Sequence, residues 1–86
     1  MITSAQIRGA RGLLGISQAQ LSEWASVSVA TIKRVEAGTQ VRGSAETFRR
    51  VELALMAEGV EFIPADGPKG PGVRLSRQEP QKTKES

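Results

Sequence analysis

The chain has no cysteine and no histidine. The first absence excludes a disulfide framework, a thiolate metal site and a cysteine nucleophile. The second removes the commonest general base and the commonest metal ligand. No clustered carboxylates compensate, so the sequence holds no catalytic constellation, and an enzyme, a metal or another cofactor is not expected. Aromatics are scarce as well. Trp24, Phe48 and Phe62 are the full set, so a core must be built from Ile, Leu, Val and Ala. No apolar run approaches membrane-spanning length, and the N-terminus lacks the basic-then-apolar pattern of a signal peptide. The expectation is a soluble cytoplasmic protein with no membrane partner.

What is present is small and unevenly charged. Eighty-six residues make one small domain whose core is marginal alone, and pairing with a second copy is a direct remedy. The net charge of +3 is not spread along the chain. Residues 1–43 hold five basic groups (Arg8, Arg11, Lys33, Arg34, Arg42) against Glu23 and Glu36, whereas residues 44–86 hold seven of each sign. The whole excess lies in the N-terminal half, where a footprint for phosphate is expected if the charges share a face.

That half also carries the clearest local signals. Ile16-Ser17-Gln18-Ala19-Gln20-Leu21 and Val27-Ser28-Val29-Ala30-Thr31-Ile32 each read as a helix start. A serine hydroxyl can accept from an orphan backbone N–H, and the apolar residues before and four after it can staple together. Gln20 completes a capping box with Ser17 by the same spacing. Eleven residues between starts leave room for a two-turn helix, a tight turn and a second helix. That spacing is a helix-turn-helix, and on a positive chain it points to DNA.

The other elements follow from caps and periodicity. Thr3 with Gln6, and Ile2 with Ile7, open a first helix whose stripe is Ile7, Ala10 and Leu14, stopped by Gly15. Gly9 and Gly12 weaken it for no reason visible in the sequence. Helices are expected over 18–25, with Leu21, Trp24 and Ala25 on one side, and over 29–37, with Ile32 and Val35 inward and Gly38 beyond. Residues 39–43 read as a polar loop with Val41 as an inward plug. A last helix over about 45–58, capped by Ser44 and ended by Gly59, has Phe48, Val51 and Leu55 on one face and Leu53, Met56 and Ala57 on the other. One apolar face docks the helix; the second asks for a partner, and a symmetric dimer supplies one.

After residue 59 the pattern changes. Val60-Glu61-Phe62-Ile63 and Val73-Arg74-Leu75 are short β-type runs separated by a Pro- and Gly-rich stretch. A lone hairpin is marginal in water, so these strands either fold over the last helix or pair with those of a second subunit. Residues 77–86 are polar, without apolar periodicity, and read as a disordered tail. The expected organisation is a helix-turn-helix domain over 1–58, a β-type dimerisation extension over 59–76 and the tail. The fold class is mostly α, with four to five helices and a short C-terminal strand or hairpin.

Gly15-Ile16-Ser17-Gln18, Leu21, Val27-Ser28, Thr31-Ile32, Arg34, Glu36 and Gly38 together resemble the Cro/repressor-type (XRE-like) helix-turn-helix family of bacterial and phage regulators, over residues 4–58. One departure is Ser26, which stands where the family has glycine in the turn, so a left-handed serine is expected there at modest cost. The resemblance implies that Val29, Ala30, Lys33 and Arg34 face base edges in the major groove. Arg34 suits guanine, and Val29 and Ala30 suit thymine methyls. It further implies phosphate contacts from Gln18, Ser28, Thr31 and Arg42, and an internal ion pair between Arg11 and Glu36. Gln18 and Ser28 also have a purely structural reading as caps, Val29 as plain packing, Arg34 as a solvated charge, and Trp24 as packing. The C-terminal runs resemble the ending of small regulators, including antitoxin-type repressors that build an intersubunit sheet. With Leu53, Met56 and Ala57 from the second face of the last helix, the expected dimer interface then also takes in Val60 and Phe62.

Two functional readings follow from the sequence. The first is a homodimeric, sequence-specific regulator of transcription, a repressor in the main, bound to a palindromic operator in double-stranded DNA. The second is an antitoxin-type interaction module that binds a toxin partner and regulates its own operon.

Overall fold

The structure, a computed structural model, describes residues 1–38 and 44–76. The loop over 39–43, with the expected plug Val41 and phosphate contact Arg42, lies outside the described residues, as does the tail over 77–86. Four helices and two strands follow in order: α1 (Ser4–Leu14), α2 (Gln18–Ala25), α3 (Val29–Ala37), α4 (Ser44–Ala57), β1 (Val60–Ile63) and β2 (Gly72–Leu75). The described chain is therefore mostly helical, with a small C-terminal hairpin. No helix among the described residues is long and apolar enough to cross a membrane.

Each of the first three helices starts on the hydroxyl that the sequence offers. The Thr3 side chain accepts from the Gln6 N–H and the Gln6 side chain accepts from the Thr3 N–H, so the box at α1 closes on both sides. Ser17 accepts from the Gln20 N–H and Ser28 from the Thr31 N–H, both at 3.0 Å. The second half of the expected Ser17–Gln20 box is replaced. Gln20 Nε2 donates to Glu23 at 3.3 Å instead, one turn along its own helix. The stops are Gly15 and Gly38, both left-handed, where a side chain would be strained. Ser44 is the first residue of α4 rather than its cap, and that helix ends at Ala57.

The stapling residues then become core. Ile2 and Ile7, Leu21 and Ile32 are buried, and Ile16 and Val27 pack against them. Ala10, Ala25, Val35, Val51, Leu55 and Val60 complete one cluster fed by every helix and by β1. Burial stabilises each of the larger members by about 1.5–3 kcal/mol. With so few aromatics, no single ring dominates; Phe48 and Phe62 are partly buried at its edge.

β1 and β2 pair with each other, antiparallel, with Val60 opposite Leu75 and Phe62 opposite Val73. Val60, Phe62, Val73 and Leu75 turn toward the core, while Glu61 and Arg74 stay exposed as a cross-strand ion pair at 2.9 Å. The hairpin gains its support from the helices, β2 lying on α1 and β1 on α4. Gln6 ties it down. Buried in α1, its amide Nε2 donates to Ile63 O at 3.2 Å and Gly72 O at 2.9 Å, the last paired carbonyls before the loop.

The packing explains one of the two α1 glycines. A Cβ on Gly9 would lie 3.1 Å from Val73 Cγ2, so the missing side chain lets β2 approach. A Cβ on Gly12 would meet nothing within 4 Å, and nothing in the structure explains that glycine.

Candidate functional site

α2 and α3 are joined by Ser26, Val27 and Ser28 and pack against each other and the core. The turn depends on Ser26, the one non-glycine with positive φ among the described residues (φ 60, ψ 43). It closes with the Val27 N–H donating to Ser22 O at 3.1 Å. Arg50 of α4 braces it from outside through Nη1 to Ser26 O at 3.4 Å, while also pairing with Glu46 at 3.0 Å.

Glu36, near the end of α3, sits where three helices meet. Its carboxylate is 4% exposed. Oε2 accepts from Arg11 Nε at 2.6 Å, and Oε1 accepts from Arg11 Nη2 and from Gln18 Nε2, each at 3.0 Å. Arg11 Nη1 donates onward to Ile16 O at 3.0 Å, which ties the turn before α2 to the same group. Burial pushes the Glu36 carboxyl up, yet the hydrogen bonds from Arg11 and Gln18 and the charges of Arg11 and Arg8 outweigh it, holding its pKa below the ordinary value. The guanidinium of Arg11 is raised by the hydrogen bond it gives to Glu36. The Arg11–Glu36 pair expected from the sequence is therefore formed, and Gln18 is its third member.

Ile32, Val35 and Glu36 turn inward, and the side of α3 facing away from them is uncovered. Ala30, Lys33 and Arg34 are exposed, and Val29 is half-buried. Neither Lys33 nor Arg34 forms an ion pair with a described residue. Ser28 is exposed and Thr31 half-buried at the start of the helix, their hydroxyls 2.9 Å apart. Two cations, two hydroxyls and two small apolar side chains thus share the free side and N-terminal end of a short helix. Gln18 is half-buried at the start of α2, with its amide committed to Glu36.

The expected dimer residues separate into two groups. Leu53 (48% exposed), Met56 (49%) and Ala57 stand on the outer side of α4. Val60 is 4% exposed and belongs to the core, so it is not a surface residue; as the first residue of β1 it faces inward beneath the hairpin. Phe62 is half-buried beside it.

Sequence reasoning missed Ser4 and Arg8, whose side chains reach the end of α3. Ser4 Oγ donates to Val35 O and Arg8 Nη1 to Glu36 O. With Arg11 they fall at i, i+4 and i+7 on one face of α1, the spacing that could have revealed them. An open pocket of about 280 Å³ lies elsewhere, lined by Met1, Ile2, Gln6, Glu52, Phe62 and Pro64. Its polar members are already engaged, Gln6 with the hairpin and Glu52 with Arg49. No group of three or more acidic side chains among the described residues could hold a metal ion. In comparisons with known proteins, no family model and no curated protein matches this chain.

Proposed function

We propose that the chain binds double-stranded DNA sequence-specifically and regulates transcription as a homodimer, mainly by repression. The observation that carries this reading is the free side of α3. Ala30, Lys33 and Arg34 are exposed, with Val29 half-buried beside them, while the side of the same helix that carries Ile32, Val35 and Glu36 is buried, with Glu36 anchored to α1 and α2. An α-helix of this length fits the major groove of B-DNA end-on or along its floor. Arg34 reads guanine through a bidentate pair, and Ala30 with Val29 meets thymine methyls. Ser28 and Thr31 present hydroxyls to a phosphate at the positive end of the helix. Gln18 gives one amide hydrogen to Glu36 and has a second to give to the backbone of the duplex.

The outer side of α4 supplies the dimer contact through Leu53, Met56 and Ala57, flanked by the internally neutralised pairs Glu46–Arg50 and Arg49–Glu52. Two reading helices related by a two-fold axis enter major grooves about one helical turn apart, so the operator is a rough palindrome. This role calls on no catalytic chemistry.

Selection of bound sites from random duplex DNA tests the reading. A palindromic motif is expected, and binding that weakens steeply with salt. Arg34→Ala is expected to relax the preference at one base pair by about 1–3 kcal/mol, measured by titration against the recovered site and its single-base variants. Recovery of no motif, or an unchanged preference in Arg34→Ala, would overturn the assignment of α3 to base reading.

A further inference from the structure

We propose that Ser4 and Arg8 are positioning residues for DNA reading: two α1 side chains that clamp the C-terminal backbone of α3 and so set the pitch of that helix against the duplex. The inference rests on the DNA-binding reading above and deepens it.

A helix leaves its last carbonyls without partners of its own. At the end of α3, the Gly38 N–H reaches back to Arg34 O and Val35 O. Two of these carbonyls are met from α1: Ser4 Oγ donates to Val35 O and Arg8 Nη1 donates to Glu36 O. A cation at this end also complements the negative pole of the helix. Arg8 is exposed and forms no ion pair with a described carboxylate; its guanidinium bonds to the backbone of α3, and its charge acts on the Glu36 carboxylate from a distance.

The consequence is geometric. The reading residues occupy the first two turns of α3 and the clamp occupies its last. Nine residues span about 13 Å, so a tilt of about 10° about the clamped end moves the first turn by roughly 2 Å. Hydrogen-bond readout of a base edge tolerates about 0.5 Å. The Arg11–Glu36–Gln18 junction holds α3 through one side chain, several bonds removed from its backbone. Bonds to two successive backbone carbonyls hold the helix axis itself.

The test compares wild type, Arg8→Ala, Arg8→Lys and the double variant Ser4→Ala/Arg8→Ala. Each is titrated at one salt concentration with the site recovered by selection, the same site with one base pair changed, and a random duplex. The expected result is a loss of discrimination of about threefold in Arg8→Ala and about tenfold in the double variant. Affinity for the random duplex and the melting temperature should stay near wild type. Arg8→Lys, which keeps a donor for the carbonyl, is expected to recover most of the discrimination. Unchanged discrimination in Arg8→Ala overturns the proposal; so does a loss matched by an equal loss on random duplex, which reports only a missing charge. If the double variant fails to fold, Arg8→Ala decides alone, since it removes only an exposed side chain. A wild-type chain that recovers no motif defeats the DNA-binding reading before any variant is made, and the clamp falls with it.

Discussion

Ser26 holds a left-handed backbone that costs an L-residue about 1–2 kcal/mol, and glycine would adopt it freely. Glycine returns about 0.5–1 kcal/mol of that gain through its freer unfolded chain. Ser26→Gly is therefore expected to stabilise the fold by about 0.5–1 kcal/mol, seen as a higher urea midpoint with an unchanged slope. A lower midpoint would show that the serine side chain contributes something the turn needs. Glu36 is the other residue whose chemistry is informative. Its pKa is lower folded than unfolded, so the unfolded chain binds more protons in the acidic range. The stabilisation is complete above the ordinary glutamate value and is lost as the pH falls through the depressed folded value. Acid unfolding monitored by circular dichroism should show that loss, and Glu36→Gln should flatten it while lowering stability at neutral pH. The same acid slope in both proteins would assign the sensitivity to other carboxylates.

At the scale of elements, the two glycines of α1 separate local preference from packing. Gly12→Ala fills open space and should recover the helix preference of about 0.5–1 kcal/mol. Gly9→Ala places a Cβ 3.1 Å from Val73 Cγ2, on the contact that seats β2 against α1. It should be the less stable of the two, with faster amide exchange in the hairpin; equal melting temperatures would mean that β2 shifts at no cost. The starts and stops of α1, α2 and α3 were readable because a cap hydroxyl, its N–H partner and the stapling residues lie within five positions of one another. The Ser17–Gln20 box failed on the same local scale. Gln20 Nε2 donates to the Glu23 carboxylate one turn on, a charge-assisted bond that draws the amide along its own helix and away from the Ser17 N–H, from which its oxygen would have accepted. The helix α4 was placed correctly by its periodicity, but Ser44 lies inside it, since a serine suits a first turn as well as a cap.

For the whole molecule, the exposed Leu53 and Met56 and the uncovered side of α3 lie on different helices, so under the proposed function association and reading do not compete for one surface. Leu53→Glu/Met56→Glu should leave the monomer folded, because both side chains are about half exposed, and should shift the sedimentation coefficient from dimer to monomer. Operator affinity should then fall through the loss of the second half-site. A double variant sedimenting like wild type would remove the outer side of α4 from the interface.

The linear order of residues was enough for the helical spans, the glycine stops, the inward Ile32 and Val35, and the outward Leu53 and Met56, because each depends on neighbours within a turn or two. The Arg11–Glu36 pair was legible only through a family pattern, since 25 positions separate its members. Folding in three dimensions decided the rest. Val60 passed from an expected interface to the core because a strand beginning so soon after α4 must turn one side onto it. The strands paired within the chain, under α1 and α4, where Gln6 closes their end. Ser4 and Arg8 found acceptors that carry no residue identity at all: a backbone carbonyl is the same at every position, so only the path of the chain reveals which one a distant side chain will meet.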